Sequence, residues 1–396
     1  MSVEIPFYPA DILIPKSGHE KWASIACDQY TSQPEYWEKA YEIAGGSPSC
    51  LHITLPEIFL NSGGYEERIK SINTEMYKYL DEGVFREYRN ALILVERSLS
   101  NGRLRRGIVG AFDLSAYSYE KGSKPLIRPT EGTVLSRIPP RVEIRRNAPL
   151  ELPHIMVLMD DRKKEIIEKI DTAELCPLYD FQLMLGGGRL RGWLIPENIQ
   201  KVIFEKLNRL AEECGEDGDR LLFAVGDGNH SLASAKAAAE VIGTKEAGYA
   251  LAELVNIQSE GVDFEPVYRV LFNADTSDVA ERLKEAFPEK SGRKIEYFSA
   301  ETEGSVYVDG LETELLQNFL DAYAEEHPEA RIDYIHGISA VRELADRDGA
   351  IGFIYGGIGK NELFDYVRRC GILPRKTFSI GEAQDKRYYM EARKIR

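Results

Sequence analysis

The sequence predicts an α/β (α+β) fold, with mixed sheets and flanking helices in a main domain over residues 1–290 and a smaller α/β unit over 291–396. Three observations predict it. The run Leu221-Leu222-Phe223-Ala224-Val225 is short and apolar enough for a buried strand, breaks at Gly226 and Gly228, and passes into an alanine-rich, helix-prone segment that ends near residue 242. Ser100-Asn101-Gly102 and Gly186-Gly187-Gly188 each stand between β-prone runs, as hairpin turns do. From about residue 291, short apolar runs alternate with helical periods. No Gly/Ser-rich linker and no internal repeat separates the two parts.

In chain order, residues 33–44 read as a helix, 51–56 as a strand and 65–80 as an amphipathic helix. Residues 91–99 and 107–114 form the first expected hairpin. The stretch 128–146, rich in Pro, Arg and Glu without helical period, reads as loop with one extended segment; 155–159 reads as a strand leading to a helix over 162–170. Residues 180–185 and 189–195 form the second hairpin, and Pro196 stands where a proline opens a helix, here one reaching about Cys214. After the strand, loop and helix of 221–242, strands are expected at 249–257 and 267–272, and a helix at 277–287. In the last part, strands at 305–308 and 350–355 alternate with helices at 312–326, 339–347 and 360–370, and a final strand covers 387–395.

At 396 residues and 43% hydrophobic, the chain buries a large core without staples. Its formal charge of −15 disfavours nucleic acid and anionic membrane as partners, while leaving room for a local basic pocket. Cys27, Cys50, Cys176, Cys214 and Cys370 are odd in number and show no CxxC spacing, which argues against disulfides and zinc knuckles and for a reducing cytoplasm. No basic-then-apolar leader and no run of membrane-spanning length is present.

A strand that turns directly into a helix aims backbone N–H groups and a positive dipole end at one small volume, which suits a phosphate or carboxylate. In Gly226-Asp227-Gly228-Asn229-His230-Ser231 that volume also gathers a carboxylate, an imidazole and a hydroxyl. Asp227 or Asn229 also suits plain helix capping. The loop lacks the Gly-Lys-Ser/Thr ending of a Walker loop, and Lys236 falls too far into the helix to serve as its lysine. His19, His52, His154, His327 and His336 are scattered without metal-ligand spacing and read as structural, and Tyr388-Tyr389 reads as strand packing.

This loop resembles the motif of the domain of unknown function 1015 family, a branch of which reads Gly-Asp-Gly-Asn-His-Ser-Leu-Ala, as residues 226–233 do here. The likeness continues through Ile25-Ala26-Cys27-Asp28-Gln29-Tyr30, Thr130-Glu131-Gly132-Thr133-Val134, Ile138-Pro139-Pro140-Arg141, Leu254-Val255-Asn256-Ile257 and Leu373-Pro374-Arg375-Lys376-Thr377-Phe378, nearly the whole chain. The motif is in turn similar to the phosphate-binding turn of the ParB and sulfiredoxin superfamily, which includes nucleotide-binding regulators and ATP- or ADP-dependent free serine kinases. The resemblance implies a ParB/sulfiredoxin-like core around 221–242 and a nucleotide ligand. Those relatives carry a His-Arg pair where this chain has His230-Ser231, so the phosphate needs another cation. Arg128, Arg137, Arg141, Arg145, Arg146, Arg375 and Lys376 are candidates that also suit a solvated basic face; Arg141 and Lys376 fall within family-like stretches.

The implied function is nucleotide-dependent phosphoryl transfer to a small hydroxylated metabolite such as free serine, with ATP or ADP and Mg²⁺ as cofactors. Residues 226–231, Arg141 and Lys376 would hold the nucleotide, His230 would stabilise charge, and Asp28 would take the hydroxyl proton, as superfamily serine kinases use an N-terminal carboxylate. Asp227 and Glu131 would hold Mg²⁺. The alternatives are a non-enzymatic nucleotide sensor using the same pocket and a metal-dependent hydrolase with Asp227 and His230 as ligands. The expected partners are a nucleotide and a small-molecule substrate; the sequence gives no oligomeric state.

Overall fold

A computed structural model describes residues 4–60, 63–216 and 218–396. Its main element is a large mixed sheet whose neighbouring strands run in the order Ile127–Pro129, Phe223–Asp227, Met156–Met159, Tyr249–Asn256, Leu104–Asp113, Phe85–Ser98, Ala10–Pro15, Ala392–Lys394 and Leu150–Glu151. The period of two along Phe85–Ser98 sorts its side chains onto two cores. Leu92 and Leu94 join Ile108, Phe112 and Leu254 on one face, with Ile203 and Leu207 of helix Glu197–Glu213 and Leu232, Ala233 and Ala235 of helix Asn229–Ile242. Ala91, Ile93 and Val95 join Ile12, Ile14 and Val109 on the other, under helices Pro34–Ala44 and Tyr65–Asp81. Each fully buried Leu or Ile contributes roughly 1.5–3 kcal/mol. The protein is thus mixed α/β with helices on both faces of the sheet.

The chain folds into two compact units, Met1–Val262 with Glu382–Arg396, and Asp263–Gly381. The division falls at Val262 rather than near residue 290, and the C-terminal segment belongs to the first unit. Its strand Ala392–Lys394 pairs antiparallel with Ala10–Pro15, a pairing between the two ends of the chain that no local pattern announces. The second unit is an antiparallel sheet in the order Glu303–Val308, Arg293–Phe298, Ile351–Tyr355, Phe264–Phe272, Arg331–His336, with Leu316, Leu320 and Val341 of its helices in the core. Among the described residues no helix is long and apolar enough to cross a membrane.

Both expected hairpins form, Phe85–Ser98 with Leu104–Asp113 and Cys176–Gln182 with Arg189–Ile195. Four expectations fail, the first three for local reasons. Residues 51–56 hold a 3-10 turn, Cys50–His52, instead of a strand, because Ser49 Oγ accepts the Leu51 N–H and Thr54 Oγ1 donates to the Cys50 carbonyl. The stretch 128–146 contains helix Ile138–Arg146, with prolines at its opening positions, where a missing N–H costs no helical bond. Residues 162–170 are turns, since Asp161 Oδ2 accepts the N–H groups of Glu165 and Ile166 at 2.7 and 2.8 Å and competes with helix formation. Residues 387–391 are not strand, because their polar groups are engaged with the first unit's interior.

Candidate functional site

Strand Phe223–Asp227 runs parallel to Ile127–Pro129 and antiparallel to Met156–Met159, so its C-terminal end meets the end of the first and the beginning of the second. That register brings Thr130, Glu131 and His154 beside the turn. Gly228 sits at φ 80°, and a Cβ there would come within 3.1 Å of the Ile155 backbone, so conformation and close approach both call for glycine. Asn229 is buried, accepts the Thr130 N–H at 3.2 Å and donates to the Thr130 hydroxyl and the Val225 carbonyl, which fastens segment 130–134 to helix Asn229–Ile242. His230 Nε2 accepts the Val134 N–H at 3.1 Å and extends the same seam. The N-cap position is held by Gly228, which brings no capping side chain, and Asp227 Oδ1 accepts the Gly228 N–H at 3.0 Å. The turn itself, Gly226 to Gly228 with His230 and Ser231, is half-buried.

Against this turn stand side chains from three other segments. Ser231 Oγ lies 3.0 Å from His154 Nε2, and the same nitrogen is 3.8 Å from Asp28 Oδ2. His154 Nδ1 is 2.7 Å from the Tyr389 hydroxyl, which also accepts the Cys27 N–H at 3.2 Å. Lys386 Nζ lies 3.3 Å from Asp227 Oδ2. Burial alone would raise the Asp28 carboxyl, but the His154 ring, the Gln29 amide at 3.0 Å and the Lys386 ammonium outweigh it and hold the group below its usual range. Burial pushes the Cys27 thiol up to about 12, which keeps it protonated and leaves it out of nucleophilic chemistry. Sequence reasoning misses His154, Lys386 and Tyr389. None lies in a motif, and only the register of Met156–Met159 and the return of the C-terminus bring them here.

The wall is positioned from behind. Ala26 N–H donates to the Arg387 carbonyl at 2.9 Å and Tyr389 N–H to the Ser24 carbonyl at 2.8 Å, which sets Asp28 and Tyr389 side by side. Arg387 is buried, donates to Glu253 at 2.9 Å, to Glu391 at 2.7 Å and to the Pro153 carbonyl at 2.8 Å, one residue from His154. Arg97 holds the Lys386 and Gln384 carbonyls at 3.0 and 2.8 Å.

Of the expected cations, Arg141 pairs with Glu57, donates to the Arg137 carbonyl at 2.8 Å and lies near enough to Cys27 to act on its thiol. Lys376 belongs to the second unit, where its carbonyl accepts from Arg269 at 2.7 Å. Arg128 is buried on Asp219 and the Pro125 and Arg220 carbonyls, and Arg145 pairs with Glu151. Glu131 is half-buried at the end of the segment fastened to Asn229. Among the described residues no three His, Cys, Asp or Glu side chains gather as a metal set. Asp227 Oδ2 faces Lys386 Nζ at 3.3 Å and His230 Nε2 accepts an N–H, so each expected metal donor already has a protein partner. Two concavities lie elsewhere, about 520 Å³ beside Phe7 and Phe204 and about 660 Å³ in the second unit between Arg293 and Tyr366.

A family model described as "Protein of unknown function (DUF1015)" matches residues 8–336. No curated protein matches the chain. Solved structures similar to it include a free serine kinase variant in complex with AMP, at 14% identity and a TM-score of 0.39, over 71% of this chain and 86% of that one. A free serine kinase variant in complex with ADP matches at 13% identity and a TM-score of 0.38, over 69% and 92%. A conserved hypothetical protein from Pyrococcus furiosus matches at 14% identity and a TM-score of 0.36, over 71% and 90%.

Proposed function

The chain belongs to the DUF1015 family of proteins of unknown function, and we propose that it is a nucleotide-dependent phosphotransferase acting on the hydroxyl of a small metabolite such as free serine. ATP or ADP is the donor. One observation carries the reading: the ionised Asp28 carboxylate and the His154 imidazole stand together at the glycine-opened first turn of helix Asn229–Ile242, with a lysine ammonium beside them. Phosphoryl transfer needs a proton acceptor for the attacking hydroxyl, fixed positive charge near the phosphates and in-line positioning. Asp28 accepts the proton and His154 orients it. The first-turn amides receive phosphate oxygens, and Lys386 supplies the charge expected of Lys376, which lies in the other unit. Arg141, held by Glu57, supplies further positive charge. His230, with Nε2 on the Val134 N–H, holds segment 130–134 in place instead of stabilising transferred charge. No step is routed through a metal.

Thermal-shift measurement against ATP, ADP, CTP and GTP tests the binding half. A nucleotide at a hundred times its dissociation constant adds about 2.7 kcal/mol of stability, and no shift with any of the four removes the reading. Phosphorus NMR with a pool of amino acids and sugars then separates the two nucleotide functions. Turnover lost in Asp28→Asn supports the enzyme, and binding without turnover makes the protein a sensor.

A further inference from the structure

The His154 ring is held between two hydroxyls. Its Nδ1 lies 2.7 Å from the Tyr389 hydroxyl, which accepts the Cys27 N–H at 3.2 Å, and its Nε2 lies 3.0 Å from Ser231 Oγ. When Nδ1 carries the ring proton, the Nε2 lone pair faces Ser231 Oγ. A hydroxyl donating to an imidazole whose other nitrogen is held by a third group is the arrangement of an activated nucleophile. Asp28 Oδ2, 3.8 Å from Nε2, faces the positive charge that appears when Nε2 takes the proton. Ser231 is half-buried and not sealed in the core.

We propose that Ser231 is a nucleophile that receives the phosphoryl group before the metabolite does, with His154 as its base. The proposal rests on the phosphotransferase reading and adds a covalent step to it. Ser231 Oγ attacks the terminal phosphorus of a nucleoside triphosphate; the Oγ–P bond forms while the bond from that phosphorus to the bridging oxygen breaks. The electron pair leaves with the nucleoside diphosphate, and the Oγ proton passes to His154 Nε2. In the second half the acceptor hydroxyl, deprotonated by Asp28, attacks the phosphoserine, and His154 returns its proton to Oγ.

The test has two arms on the full chain. In the first, protein and MgATP are mixed, quenched, and read by intact and tandem mass spectrometry. The expected result is one phosphoryl group on Ser231, absent in Ser231→Ala and formed at least about a hundredfold more slowly in His154→Gln. The second arm uses a fluorophosphonate ester, which needs no nucleotide, and expects an adduct on Ser231 with the same dependence on His154. Should His154→Gln fail to fold, Tyr389→Phe frees Nδ1 while keeping the ring, and labelling slows several-fold with its pH profile displaced. A protein whose melting temperature rises with ATP but whose Ser231 takes neither group overturns the covalent step and leaves the phosphotransferase reading standing. If ATP does not bind, that reading falls, and the fluorophosphonate arm alone decides: an adduct keeps Ser231 as a nucleophile, and no adduct removes it.

Discussion

The turn from Gly226 to Ser231 and the wall that faces it hold the same small volume by opposite means. The turn is contiguous chain, shaped by one left-handed glycine and stitched to its neighbour segment through Asn229, Thr130 and His230. The wall is assembled from Asp28, His154 and the 386–389 segment, held by backbone bonds between residues 24–26 and 387–389 and by the buried charged block of Arg387, Glu253 and Glu391 behind them. Contiguous geometry survives the loss of a distant partner, whereas an assembled wall depends on every anchor. The sheet faces differ accordingly: the one beneath helix Asn229–Ile242 is lined by apolar side chains such as Leu94, Ile108 and Leu254, while Arg97, Arg105 and Glu253 lie inside the other, near Ile93 and Val95.

Asp28→Asn tests this contrast most severely, since it keeps the shape of the wall and removes its charge. Phosphoryl transfer should fall by about 10²–10⁴-fold with the fold intact, measured by phosphorus NMR turnover beside circular dichroism. Arg387→Met comes next. Leaving Glu253 and Glu391 buried without their partner should cost about 3–5 kcal/mol in a denaturant melt, and any nucleotide-dependent thermal shift should weaken as the Pro153 and Tyr388 carbonyls, next to His154 and Tyr389, lose their common anchor. Gly228→Ala strikes the turn instead, and forcing alanine to φ 80° against Ile155 should cost about 1–3 kcal/mol while leaving the wall in place. If Arg387→Met costs less than Gly228→Ala, the contrast between turn and wall is wrong.

A weaker effect is one of pH. The Asp28 carboxyl is held below its unfolded value, so the stability it contributes is fully present above that value, about 3.9, and is lost as pH falls through it toward the folded value. Acid unfolding followed by fluorescence should therefore show the gap between the protein and Asp28→Asn closing as pH drops through this window. A gap that stays constant shows that the His154 ring and Lys386 do not hold the carboxylate ionised.

Much of the turn is legible in the sequence, because Gly226, Gly228 and the alanine run act over a few residues, and strand, loop and helix each follow from local propensity. Asp28 is legible too, through the resemblance of its segment. His154 reads as structural and Tyr389 as strand packing, since a lone histidine or a tyrosine pair carries no periodic or spacing signal. The helix over 138–146 escapes sequence reasoning because its two prolines read as breakers, though at the first turn they cost nothing.

The fold class, both hairpins and the glycine turn from strand to helix follow from the order of the residues alone, because each depends on interactions among near neighbours in the chain. Which chemistry faces that turn does not. The return of residues 382–396 to the first unit, the strand register that carries His154 to the turn, and the pairing of Asp227 with Lys386 are contacts between distant segments. Their energies come from burial and charge pairing that exist only once the chain has closed on itself.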